Sequence, residues 1–224
     1  MGLPRRPPHG RQPPAAIPRK GGSSGCLADG PPVAAQTAFD FTTAARAVCD
    51  DIVRRVDALG HIDLARVAIR FVQARRPGRH GVFATLTPLR FAGGEEYTVR
   101  RGRRYRIQRI AGPQGEALYL LSFYLPRFLD LGFREKLVTI VHELWHIGPR
   151  FDGDLRRLGG RCYAHGRSQK QFDAAVEALT DRYLATAPPA AEAGFLYMRF
   201  HELVDRYGGV YGARIRTPRL IPLD

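Results

Sequence analysis

Apolar residues first fall into order near Thr37. Phe39, Ala44, Val48, Ile52, Val53 and Val56 lie mainly on one helical face, which predicts a helix ended by Gly60. The period then changes. From Arg66 to Gln73, Val67, Ile69 and Phe71 alternate with Ala68, Arg70 and Val72, as in a strand. Pro77 to Gly81 predicts a turn, Val82 to Phe91 a second strand, and Gly93-Gly94 its end. Residues 96–110 read as a hairpin about Gly102, with Tyr97 and Val99 alternating on one arm and Tyr105 and Ile107 on the other. Leu118 to Leu125 is apolar and reads as a strand stopped by Pro126.

Helical order returns beyond Pro126. Phe133, Leu137, Ile140, Val141, Leu144 and Trp145 trace one apolar stripe, and Gly148-Pro149 closes it. A loop rich in Gly, Arg and Asp follows over residues 150–166. A helix then starts at the N-cap candidate Ser168 and runs through Phe172, Val176, Leu179 and Leu184 to Pro188-Pro189. A last helix is expected from about Ala191 to Tyr207, and a short strand from Val210 to Ile215. The pattern gives one α+β domain over residues 37–224, with a small, mostly antiparallel sheet packed on the 133–145 helix and its neighbours.

Residues 1–36 show no such pattern. They hold eight of the seventeen prolines, and five basic residues against Asp29. A disordered basic tail is expected there. The length of 224 residues suits one compact domain beside that tail.

Charge changes the picture more than composition does. The net charge is +14, and only Lys20, Lys136 and Lys170 among the 35 basic residues are lysines. Such a chain attracts polyanions, although arginine bias also follows from a GC-rich genome. The excess is local at Arg100, Arg101, Arg103, Arg104, Arg106 and Arg109. The basic tail and this ribbon are candidate contacts for DNA or another polyanion, with the tyrosines of the ribbon stacking on bases. A solvated edge hairpin explains the same charges. Cys26, Cys49 and Cys162 form no CxxC pair, which points to a reducing compartment. No apolar secretory core begins the chain, and the longest apolar run, near residues 117–125, is too short to span a bilayer. A cytoplasmic, soluble monomer with no membrane partner is the expectation.

The sharpest chemical signal lies on the 133–145 helix. His142-Glu143-Leu144-Trp145-His146 reads HExxH. On a helix, positions four apart share a face, so both imidazoles can reach one metal ion, and Glu143 can act as general base on a metal-bound water. Zinc in a catalytic site takes three protein ligands as a rule. His165 before Gly166 is the first candidate for the third. Asp152 comes second, at the offset of the metzincin third ligand but with Pro149 where that pattern has glycine. Glu177, followed by Asp181 at gluzincin spacing, comes third. Tyr163 or an arginine of the 150–167 loop is the candidate second donor to a developing oxyanion. The apolar strand Leu118–Leu125 could hold a peptide substrate if it lies at the sheet edge. His201-Glu202 starts like a second motif, but Asp205 stands where a histidine would be needed.

The HELWH run, a loop, then His165-Gly166 with Phe172 on the following helix resembles the SprT-like (Spartan-type) zinc metallopeptidases. The stretch from His142 to Phe172 also resembles a group of HExxH metallopeptidases of bacteria and phages. The resemblance is strongest over residues 133–180. It implies a zincin-like minimal metallopeptidase domain in which His142, His146 and His165 bind zinc (Zn2+) and Glu143 is catalytic. Two features depart from the SprT-like pattern: the long gap from His146 to His165 and the lack of a C-terminal cysteine zinc ribbon. The expected activity is zinc-dependent hydrolysis of peptide bonds. The alternatives are a basic nucleic-acid-binding protein with a structural or degenerate metal site, and a zinc hydrolase of other bonds.

Overall fold

The computed structural model describes residues 38–74, 81–157, 169–186 and 193–223. All lie within one unit, residues 36–224. The tail expected over residues 1–36 lies outside the described residues, as do His80, Cys162 and the N-cap candidate Ser168.

Ten strands are described: β1 Phe39–Asp40, β2 Val67–Gln73, β3 Ala84–Pro88, β4 Tyr97–Arg100, β5 Arg103–Ile107, β6 Ala111–Gly112, β7 Gly115–Glu116, β8 Tyr119–Leu125, β9 Val210–Tyr211 and β10 Leu220–Pro222. The helices are α1 Phe41–Arg55, α2 Phe133–Trp145, α3 Gln169–Ala185 and α4 Phe200–Tyr207, with 3-10 turns between some elements. The domain is α+β.

Its central sheet has the order β2-β8-β3, parallel between β2 and β8 and antiparallel between β8 and β3. This sheet is therefore mixed rather than mostly antiparallel. Antiparallel pairing rules the second sheet, β10-β5-β4, and the small β6-β7 ribbon. The strand Leu118–Leu125, a substrate-holding edge or a fully paired centre on sequence grounds, is the central strand β8, hydrogen-bonded on both sides. An apolar run without alternation is what a strand covered on both faces requires.

One face of the central sheet carries the main core. Phe41, Val48 and Ile52 of α1, Leu137, Ile140, Val141 and Leu144 of α2, and Phe172, Val176 and Tyr183 of α3 are buried there with Tyr119, Leu121 and Phe123 of β8. The other face holds a smaller cluster of Ala68, Leu89, Ile110, Ala117 and Leu120, with Ile107 and Ile215 packed against it. Arg70 of β2 is buried among these elements. It donates to Ser122 Oγ at 2.8 Å, to Thr217 Oγ1 at 3.1 Å and to the Ile215 carbonyl. A cation with its donors thus engaged ties the segment before β10 to the sheet.

α1 begins at Asp40, whose carboxylate accepts the Thr43 N–H at 3.1 Å. It ends at Arg55, before the expected stop at Gly60, and a 3-10 turn over Asp57–Leu59 fills the gap. The expected last helix is interrupted. A 3-10 turn covers Gly194–Tyr197, and α4 starts anew at Phe200, where Glu202 accepts the Arg199 N–H. The physical reason is Lys136 of α2, 1 % exposed. Its Nζ donates to the carbonyls of Leu196 at 2.9 Å and Met198 at 2.7 Å, drawing them out of any helical ladder.

The hairpin expected over residues 96–110 forms as β4 and β5. Arg101 (φ 52°) and Gly102 (φ 74°) join them, both left-handed as a two-residue hairpin turn demands. Glycine adopts that conformation freely, whereas arginine does so at a cost of about 1 kcal/mol.

Candidate metal centre

α2 presents the pentapeptide at its C-terminal end. Glu143, one residue past His142, is 7 % exposed, and so is His146. His146 caps the helix while keeping helical backbone angles (φ −66°, ψ −20°), so the one-turn spacing from His142 survives to the last residue. The two Nε2 atoms stand 3.0 Å apart. Tetrahedral zinc with two Zn–N bonds of about 2.0–2.1 Å would hold them about 3.3 Å apart. A neutral pair sharing one Nε2–H would also meet at this distance. The two histidines are spaced to share a zinc ion.

Phe172 of α3 backs both rings. Its centroid lies 4.7 Å from His146, nearly parallel at 29°, and 5.0 Å from His142, edge-on at 69°. α2 and α3 run antiparallel here, because Arg134 near the start of α2 pairs with Glu177 and Asp181 farther along α3, each at 2.7 Å.

The opposite wall is β3. Val82, Ala84, Thr85, Leu86 and Leu155 line a cleft of about 390 Å³ with His142, Glu143 and His146. β3 pairs only with β8 among the described residues. Phe83 and Leu89 turn their backbone groups inward, to Tyr124 and Leu118 of the central strand and its flank. By alternation, Ala84, Leu86 and Pro88 turn theirs outward, on the cleft side. Pro88 has no N–H to leave unpaired there, which suits an edge strand. Burial pushes the Glu143 carboxyl up to about 7, opposed by the Leu86 backbone N–H. Glu143 is thus poised to hold or release a proton near neutrality.

The end of α2 is held from behind. Arg156 Nε donates to the Trp145 carbonyl at 2.7 Å, its guanidinium lies 3.6 Å from the Trp145 ring centroid, and its backbone N–H donates to the His146 carbonyl at 2.7 Å. Tyr119 of β8 fixes the turn between. Its hydroxyl accepts the Gly153 N–H at 3.0 Å and donates to the Asp154 carbonyl at 2.8 Å. Asp154 in turn accepts the Gly93 N–H at 2.7 Å and the Arg157 guanidinium.

Of the three candidates for a third ligand, His165 lies outside the described residues, and so does Tyr163. Asp152 is not among the residues lining the histidine cleft. It pairs with Arg150 at 2.8 Å and lines a separate cavity of about 230 Å³ beyond Leu155. Glu177 is held by Arg134, about two turns up α2 from His142. Among the described residues, no three His, Cys, Asp or Glu side chains converge as a metal site. Among the described residues, the loop arginines considered as oxyanion donors are engaged: Arg150 by Asp152, Arg156 by Trp145 and Arg157 by Asp154; Arg161 and Arg167 lie outside the described residues. His201 and Glu202 are exposed on α4. Cys49 is a free, fully buried thiol, pushed up to about 12 by that burial.

Sequence reasoning attached Phe172 to the site only through a resemblance, and missed Leu86 and Arg156. Pro88 inside a predicted strand was the available signal for an edge at β3. No local signal marks Arg156. Compared with family models, curated proteins and solved structures, the chain matches none. Among the described residues, no helix is long and apolar enough to cross a membrane.

Proposed function

We propose that the cleft is the active site of a zinc-dependent peptidase with a zincin-like arrangement. The observation that carries the reading is the convergence of His142 Nε2 and His146 Nε2 to 3.0 Å in the cleft lined by the buried Glu143. His142 and His146 would hold the metal, with His165 as the proposed third ligand. Zinc, when bound, supplies Lewis acidity toward a carbonyl oxygen and lowers the pKa of a coordinated water. Glu143 takes the proton of the attacking water and returns it to the leaving amine, for which a value near 7 is well matched. The outward backbone groups of Ala84 and the Leu86 carbonyl pair with an extended substrate as an added strand and align its scissile bond with Glu143, which keeps the Leu86 N–H. Phe172 keeps the imidazoles from rotating away.

The test is metal content and proteolysis of an unfolded protein substrate, compared across variants. Glu143→Gln is expected to keep zinc and lose about 10²–10⁴-fold in rate. His142→Ala and His165→Ala are expected to lose both zinc and activity. Equal activity in wild type and Glu143→Gln would sink the peptidase reading. Full zinc binding by His165→Ala would remove His165 from the ligand set.

A further inference from the structure

The tip of the β4–β5 hairpin is built against its own stability. Four of the five residues from Arg100 to Arg104 are arginines, and all five are exposed. The register sets Arg100 directly opposite Arg103, a like-charge pair that weakens a ladder. Arg101 occupies a left-handed turn position that asparagine, aspartate or glycine fills at lower cost. Among the described residues, Arg100, Arg101 and Arg103 have no ion-pair partner. Arg109 differs: it lies 3.3 Å from Glu116 and 3.6 Å from Glu96 and is drawn out of the ribbon's free charge.

The charges also surround the tip. Cross-strand pairing puts Arg100 and Arg103 on one face of the hairpin, and Arg104 and Arg106 on the other beside Val99 and Tyr97. Arg101 is the apex. More cations stand at the base, where Arg216 and Arg219 line a cavity of about 640 Å³ with Gln108. A platform for a single strand needs aromatic rings open on one face. Here the exposed Tyr97 has the Arg104 guanidinium 4.6 Å from its ring centroid. Cations on two faces and an apex instead suit a slot with anionic walls on both sides.

We propose that this tip enters a groove of duplex DNA, with Arg100–Arg104 set between the two phosphate backbones. The major groove, about 12 Å wide and 8.5 Å deep, admits a two-stranded ribbon. Three residues per strand at about 3.4 Å each give a matching reach of about 10 Å. The deep, narrow major groove of duplex RNA does not admit it. This interface is separate from the cleft and does not depend on the peptidase reading.

The experiment is fluorescence anisotropy of the full chain with a labelled mixed-sequence duplex of about 20 base pairs, titrated from about 50 to 200 mM salt. The matched single strand, the matched RNA duplex and polyglutamate serve as competitors. The triple variant R100S/R101N/R103S is expected to lower the slope of log affinity against log salt by about 3, and R101N alone by about 1. R101N also eases the turn, so its melting temperature should stay level or rise while its affinity falls, separating lost contacts from lost fold. His142→Ala should bind as wild type does. An unchanged slope in the triple variant overturns the proposal. So does competition by single strand, RNA duplex or polyglutamate as effective as that by duplex DNA.

Discussion

Phe172 lies against His146 with ring centroids 4.7 Å apart, so a side chain from α3 sets the attitude of an imidazole on α2. An imidazole without that wall would sample other rotamers, and ligand preorganisation would fall. Phe172→Leu keeps most of the buried volume and removes the flat contact. Its zinc affinity is expected to drop about tenfold, while its melting temperature falls only slightly. Competition with a chromophoric chelator measures the first, and thermal unfolding the second. Unchanged affinity would reduce Phe172 to core packing.

Glu143 makes stability depend on pH in the metal-free protein. Its folded value is raised to about 7 from an ordinary 4.5. Below the ordinary value the group is protonated in both states and costs nothing. As pH rises toward 7, the unfolded chain releases the proton first, and stability is lost. Above 7 the loss is complete, on the order of 3 kcal/mol. Glu143→Gln escapes it. In chelator-treated samples, its urea midpoint should match wild type near pH 4.5 and exceed it at pH 8. A constant difference across that range would contradict the raised value.

β3 gives a paired test at adjacent residues. Leu86 turns its N–H outward, whereas the Thr85 N–H belongs to the ladder with β8. Thr85→Pro should unfold or strongly destabilise the domain. Leu86→Pro should leave a folded protein, less stable by the lost leucine contacts, that has lost peptide hydrolysis. Circular dichroism and the proteolysis assay together decide this. Activity retained in Leu86→Pro would show that neither Glu143 nor the substrate needs the Leu86 N–H.

Arg156 is a positioning residue. Arg156→Ala removes the bond to the Trp145 carbonyl and the cover over the Trp145 ring. The expected cost is about 2 kcal/mol in stability, with weakened zinc binding. Arg156→Lys keeps a cation but loses the planar stack, and should recover only part of either. Full recovery by lysine would reduce the contact to charge alone.

The sequence pattern carried the HExxH helix from Phe133 to Trp145 intact, because its apolar stripe and its chemistry share one period. β2 and the β4–β5 hairpin were legible for the same reason. What escaped depends on distant partners. Whether Leu118–Leu125 is edge or centre is decided by β2 and β3, not by its own residues. The break at Met198 is imposed by Lys136, a residue 62 positions earlier. β10 follows Pro218, ends on Pro222 and lacks a strand's alternation, so only its pairing with β5 reveals it. At the centre, the His142–His146 pair was readable from spacing, whereas the edge strand facing Glu143 arrives from more than fifty residues upstream in sequence.

The pairings of β9 with β1 and of β10 with β5 bear on the order of folding. Val210 meets Phe39, and Leu220 meets Ile107, across long stretches of chain. Their loop-closure cost is met only after nearer contacts exist. β8 and α2 are neighbours in sequence and contribute to the same core. The histidine-bearing helix is therefore expected to dock early, and the clasp of β9 and β10 to close last and open first.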